Sequence, residues 1–230
     1  MSPTLPGDSL RLSGVRGLIA RRMSDSLKNT AQLSFHATAD ASRALALAHA
    51  AKTESRSVSL EDVVAWIFIQ ALRSYPDFNG VIEDRRFCAA EGVNLGVAIG
   101  VTEHLTVGVI HGADGLDLAG LAAARRSLTH SAREGTLSPD QMRNGSATFS
   151  NLGRGRTEAF TPILNPPQVA LLGMSCLRKA PWVDQDDNIT VRPVLGLSLT
   201  VDHQWIDGAP ANRFLALCCE HLENLATSLD

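Results

Sequence analysis

The chain has 230 residues, 44% hydrophobic and 20% charged, with a formal net charge of -3 at pH 7. That is the composition of a globular chain with a sizeable core, and it excludes disorder over most of the length. The charge gives no electrostatic reason to expect nucleic acid or an anionic membrane as main partner.

Residues 1–10, rich in Pro, Gly and Ser, read as a flexible arm or linker remnant, and residues 11–230 as one α/β domain. Between residues 12 and 27, Val15, Leu18, Ile19, Met23 and Leu27 recur at helical spacing opposite Arg16, Arg21, Arg22 and Lys28. Leu33, Phe35 and Ala37 alternate with Ser34, His36 and Thr38, the pattern of a half-buried strand. Asp40 or Ser42 caps a helix over residues 43–52. Ser59 with Asp62 opens a stronger helix that runs through Leu72 and stops before Pro76. Strands are expected within residues 87–101 and at 105–110, a break at 112–115, and a helix over 118–133. Residues 148–152, 169–174 and 194–201 read as buried strands and 210–225 as a final helix.

No stretch approaches about 20 consecutive apolar residues, so no membrane span is expected. The first ten residues lack the basic start and apolar run of a secretory signal, which points to the cytoplasm. Cys88, Cys176, Cys218 and Cys219 lack zinc-site spacing and are expected as buried free thiols in a reducing compartment. No His or Cys shows companion spacing for a metal, so no metal site is expected.

Two segments carry chemistry. Near the C-terminus an alternating strand ends in Asp202-His203-Gln204-Trp205-Ile206-Asp207-Gly208, which places His203 where a strand gives way to a loop. A neutral imidazole there can take a proton from a thiol or hydroxyl, and Asp207 can orient the loop. The plainer alternative is a core histidine followed by a helix cap. The second segment is Thr148-Phe149-Ser150-Asn151-Leu152-Gly153, where a hydroxyl at a strand end can donate to a developing oxyanion or simply serve a turn.

Together these segments, with Asn165-Pro166-Pro167-Gln168 between them and Val15-Arg16-Gly17-Leu18-Ile19-Ala20-Arg21-Arg22-Met23 before them, resemble the catalytic domain of the dihydrolipoyl acyltransferases. These are the core subunits of 2-oxoacid dehydrogenase complexes, and the chloramphenicol acetyltransferases share their fold. The resemblance covers almost the whole chain. It implies a two-layer sandwich of a mixed β-sheet and helices, assembled as a homotrimer with the active site between subunits. It implies His203 as general base, Ser150 as oxyanion donor, and Asp207 as a structural acid paired with Arg21 or Arg22. Asn151, Gly153 and Gly208 would support the site, and Gln204 and Trp205 would face the acceptor. The chain departs from the family pattern at Gln204, usually Arg, at Gly108, usually Pro, and at Ala31, commonly Pro.

The substrates so implied are an acyl-coenzyme A and a thiol of dihydrolipoyl type. Lys28, Lys52 and Lys179 do not stand in a lipoyl setting, so a lipoyl group is expected in trans, on a lipoyl domain working with dehydrogenase partners. A trimmed catalytic domain and a stand-alone enzyme both fit. The alternatives are a coenzyme A-dependent O- or N-acetyltransferase acting on a small molecule, and a non-catalytic trimeric scaffold. The tail from Glu220 to Asp230 offers one late leucine where a larger core would need an apolar knob, so assembly is expected to stop at the trimer.

Overall fold

In the computed structural model the described residues are 13–51, 57–101, 104–184 and 186–226; the expected arm, Lys52 and the last four residues lie outside them. The elements are α1 (Gly14–Asn29), β1 (Gln32–Asp40), α2 (Ser42–Ala50), α3 (Leu60–Ser74), β2 (Gly80–Glu83), β3 (Arg86–Ala89), β4 (Leu95–Gly100), β5 (Leu105–Ile110), α4 (Leu118–Arg133), β6 (Ala147–Asn151), β7 (Ala170–Val183), β8 (Ile189–Asp202) and α5 (Gly208–Glu223). Six strands form one mixed sheet in the order β1-β8-β7-β6-β4-β5, and helices α2 to α5 pack on one face of it. This is the two-layer architecture that the sequence resemblance implies.

Helix α3 sits at the centre of the helical layer, against α2, α4 and α5. Its Ser59 and Asp62 form a reciprocal capping box, and Val63, Val64, Ile67, Phe68, Ala71 and Leu72 are all buried. A helix apolar on almost every side is stable only with neighbours on every side. The fully buried Asp62 also accepts from Arg125 of α4, which reaches Glu61 at 3.1 Å. Burial works to lower the Arg125 pKa, but the hydrogen bond to Asp62 and the charges of Glu61 and Asp62 outweigh it and hold the guanidinium above its ordinary value. Phe78 stacks on Phe214 of α5 at 4.3 Å, and Phe68 and Tyr75 meet Phe214 edge-on. Each such ring contributes about 1.5–3 kcal/mol by leaving water.

The sheet's helix-facing side carries Leu195, Leu197, Leu199 and Val201 of β8 and Phe149 of β6. Its other side is a row of hydroxyls, in which Ser34 and Thr200 lie 2.7 Å apart and His36 Nδ1 and Ser198 2.9 Å apart. The pairs satisfy groups that would be costly to bury alone. Residues 157–168 cross this second side: Phe160 N donates to Ser198 Oγ, and the Phe160 ring packs on Gly173. Helix α1 lies over that segment through Ser26 Oγ, which donates to the Leu164 carbonyl at 2.8 Å. Its apolar Val15, Leu18 and Leu27 stay more than half exposed.

Three features differ from the sequence reading. The β2–β3 hairpin was not expected, because its two turn residues, Asp84 and Arg85, take positive φ (48° and 62°) without the Asn-Gly or Asp-Gly signature of such turns. Strands β7 and β8 run on past the sheet as a two-stranded ribbon through polar and Pro-containing sequence. Cys88 is exposed on β3, whereas Cys176 and Cys218 are buried and Cys219 half-buried. Burial raises the thiol pKa of Cys218 and, aided by Glu223 and Glu220, pushes that of Cys219 up to about 12, so neither supplies a thiolate. Among the described residues no helix is long and apolar enough to cross a membrane, and no cluster of His, Cys, Asp and Glu is suited to a metal.

Gly108 explains itself in this packing. A Cβ there would lie 2.8 Å from Leu128 Cγ, so α4 rests directly on the backbone of β5. Gly108→Ala is therefore expected to destabilise the fold by about 1–3 kcal/mol through overpacking. Combined with Leu128→Val it should cost less than the two single changes summed; denaturant midpoints of the four proteins measure this.

Candidate active site

Strand β8 ends at Asp202, and the chain turns sharply there because the Trp205 and Ile206 amides both donate to the Asp202 carbonyl, at 3.0 and 2.9 Å. The turn is stitched to the α1–β1 junction by His203 N, which donates to the Ala31 carbonyl at 2.8 Å. The His203 side chain is 45% exposed. Its Nδ1 lies 3.1 Å from the Ile206 carbonyl oxygen and 3.7 Å from Asp207 Oδ1. A carbonyl only accepts, so Nδ1 carries the proton and Nε2 is the basic nitrogen of the neutral ring. It is the backbone, more than Asp207, that selects the tautomer.

Asp207 takes the N-cap backbone position of α5 but makes no capping hydrogen bond, and its side chain is 84% exposed. Among the described residues, neither Arg21 nor Arg22 makes the expected pairing with Asp207. Arg22 instead donates to the Pro166 carbonyl at 3.3 Å, and Arg21 is exposed on α1. The reason is placement: α1 docks on residues 164–166, and Arg22 is drawn to that segment. Gly208 opens α5 with only Phe35, at 3.9 Å, near where a Cβ would sit.

Gln204 and Trp205, expected toward the acceptor, are turned to structural partners. Gln204 Nε2 donates to the Asn29 carbonyl at 2.8 Å. Trp205 Nε1 donates to the Asp77 carbonyl at 3.2 Å, and its ring stacks on Phe87 of β3 at 4.5 Å, leaving one face toward solvent. The sequence offered no signal for Asp77 or Phe87 as supports: Phe87 belongs to the unexpected hairpin, and Asp77 serves through its backbone carbonyl from the short helical turn ahead of it.

Ser150 is the fourth residue of β6, half-buried, on the face of the sheet away from the helices. The turn after it is fixed by Asn151 Oδ1, which accepts from Gly153 N at 2.6 Å. A Cβ at Gly153 would meet that oxygen at 2.8 Å and the Ser175 carbonyl at 3.2 Å, so only glycine fits. A cleft of about 940 Å³ opens beyond this turn, lined by Asn151, Leu152, Arg126, His130, Arg133 and Arg154. A second, of about 780 Å³, lies over the hydroxyl side of the sheet between Val107, Val109, Ile19, Met23 and Gln168.

The strand pairing keeps Ser150 and His203 apart. Ser150 is level with Gly173, and Gly173 with Ser198. His203 lies five residues further along β8, which places it about 17 Å along the strands and about 10 Å across them from Ser150. One chain does not bring the two side chains together.

Because Asp207 makes no cap and its side chain is 84% exposed, Asp207→Ala is expected to change stability by no more than about 0.5 kcal/mol, the range of an exposed site. A loss of about 2 kcal/mol or more in chemical denaturation would show a partner that the single chain lacks.

Residues 6–229 match the family described as 2-oxoacid dehydrogenases acyltransferase (catalytic domain). The chain is 34% identical over 220 residues to the dihydrolipoyllysine-residue acetyltransferase component of the acetoin cleaving system of Bacillus subtilis, a match covering 94% of this chain and 55% of that protein. It spans about half the length of the curated relatives it matches. Its structure is similar to that of a probable dihydrolipoamide acetyltransferase from Listeria monocytogenes, with a TM-score of 0.90, 28% identity, and coverage of 97% and 99% of the two chains. It is also similar to the Azotobacter vinelandii dihydrolipoamide acetyltransferase, with a TM-score of 0.87, 26% identity, and coverage of 97% and 98%. In that protein the roles of a serine, a histidine and an asparagine four residues after the histidine were investigated in the catalytic mechanism. A chloramphenicol acetyltransferase, at 17% identity and a TM-score of 0.56, shares the fold. With its sheet order, its strand-end histidine and a match from residue 6 to residue 229, the chain belongs to the catalytic-domain family of the 2-oxoacid dehydrogenase acyltransferases.

Proposed function

We propose that the chain transfers an acyl group between coenzyme A and a thiol of dihydrolipoyl type, the lipoyl group being supplied in trans. The observation that carries this reading is the His203 ring, whose Nδ1 is engaged by the Ile206 carbonyl while the ring stays 45% exposed, so that Nε2 is the base. A thiol has an ordinary pKa near 8.5 and is a weak nucleophile until deprotonated. His203 Nε2 removes its proton, and the thiolate attacks the thioester carbonyl. Ser150 donates to the oxyanion of the tetrahedral intermediate. Collapse breaks the carbon–sulfur bond to the leaving thiolate, which takes the proton back from His203. The acyl group moves directly between two thiols.

Coenzyme A brings several negative phosphate charges. The cleft beyond β6 suits them, with Arg126, Arg133 and Arg154 beside the Asn151–Leu152 turn that follows Ser150. Asp207 Oδ1 lies 3.7 Å from Nδ1, on the side of the ring away from the basic nitrogen.

Catalysis then requires a second copy of the chain. With Ser150 and His203 about 17 Å apart along the strands, the active site forms where His203 of one chain faces Ser150 of its neighbour in a trimer. The apolar Val15, Leu18 and Leu27 that α1 leaves exposed suit such contacts.

Acetyl-CoA consumption with dihydrolipoamide as acceptor tests the reaction, and transfer only to small alcohols or amines would move the reading to the acetyltransferase alternative. Ser150→Ala is expected to lower kcat by roughly 10²–10³ with little change in KM, and His203→Ala to abolish transfer. Co-expressed in equal amounts, the two inactive chains should regain about a quarter of wild-type activity, since that share of interfaces joins an intact serine to an intact histidine. Light scattering near three times 24.6 kDa is the expected particle. Failure to complement, or an active monomer, would contradict the shared site.

A further inference from the structure

The turn that presents His203 is fastened by groups outside the reacting set. Asp202 is 2% exposed, yet among the described residues it has no ion pair to Lys or Arg. Its carboxylate is met by N–H donors instead: the Ala31 and Gln204 amides at Oδ1, 3.1 and 3.0 Å, and Gln204 Nε2 at Oδ2, 3.3 Å. The same Nε2 donates to the carbonyl of Asn29, the last residue of α1, at 2.8 Å. That carbonyl is one of the helix-end acceptors left without an intrahelical partner. One side-chain amide thus joins a buried carboxylate next to His203 to the end of a helix 175 residues away in sequence.

We propose that Asp202 and Gln204 form a positioning clamp for His203, which locks the turn 202–206 onto the α1–β1 junction and holds the imidazole in its working place. The proposal rests on His203 acting as the base in acyl transfer. Gln204 has the length and the two N–H donors to serve both acceptors. Without them a buried carboxylate oxygen and a helix-end carbonyl each lose a partner, and the turn gains freedom to recover one from water. A base misplaced by about 1 Å can cost on the order of 10² in rate. Gln204 touches no reacting atom, so its loss should fall on kcat and spare KM.

The test uses the full chain with acetyl-CoA and dihydrolipoamide, comparing wild type, His203→Ala, Gln204→Leu, Gln204→Glu and Gln204→Arg. Gln204→Leu should lower kcat by about tenfold to hundredfold with both KM values within about twofold of wild type. It should also speed amide hydrogen exchange in peptides covering residues 29–33 and 202–206. Gln204→Glu, which sets a carboxylate against two acceptors, should fall at least as far. Gln204→Arg, whose guanidinium reaches both acceptors with N–H groups, should restore both kcat and exchange protection. An unchanged kcat or unchanged exchange in Gln204→Leu, a change confined to KM, or no restoration by arginine overturns the clamp. If His203→Ala keeps its activity, the reaction assignment itself falls and the clamp falls with it. If His203→Ala is inactive while Gln204→Leu keeps the wild-type kcat, the clamp alone is wrong.

Discussion

Ser150, Gly173 and Ser198 lie side by side in β6, β7 and β8, joined by backbone hydrogen bonds in two directions of pairing. Because β6 and β7 run parallel while β8 runs against them, the end of β6 that carries Ser150 and the end of β8 that leads to His203 point to opposite ends of the strands. No rotamer choice can close that distance. A one-residue slip of β8 against β7 would also swap the hydroxyl side of β8 with its leucines. The register is therefore held by the core itself, and the separation of Ser150 from His203 is as fixed as the fold.

At the far end, the precision of His203 comes from the backbone around it. The Ile206 carbonyl takes the Nδ1 proton, the Asp202 carbonyl gathers two amides, and the Ala31 carbonyl holds His203 N. These groups belong to a short turn between the central β8 and α5, both anchored in the core by residues such as Val201, Ala211 and Phe214. Asp207, exposed and uncapped, adds charge near the ring but little to the architecture. The division fits the base role proposed for His203: its Nδ1 proton is held by a neutral carbonyl, whose hydrogen bonding does not depend on the charge state of a partner.

The packing also accounts for one departure from the family pattern. At Gly108 the space beside the backbone is filled by Leu128, so glycine on β5 and leucine on α4 are two halves of one contact. Nothing in the structure explains Ala31 through its side chain, which is exposed; its amide and carbonyl carry the contacts to Asp202 and His203.

Periodicity and capping chemistry by themselves determined most of the elements. The Ser59–Asp62 box, the alternation of Leu33, Phe35 and Ala37, and the apolar runs of β4, β6 and β8 are local signals, each legible because the residue pattern matches the repeat of the backbone that carries it. The motifs around Ser150 and His203 were legible for the same reason, as strand ends next to glycine. What they could not state was contact. The hairpin at Asp84 and Arg85 lacks turn-specific residues, the ring that stacks on Trp205 comes from that hairpin, and Gln204 meets Asn29 only because β1 pairs with β8. Whether an arginine of α1 reaches Asp207, and whether Ser150 reaches His203, depends on sheet order and on where α1 docks. Those are decided by pairings between residues from about 25 to more than a hundred positions apart, which only the folded chain brings together.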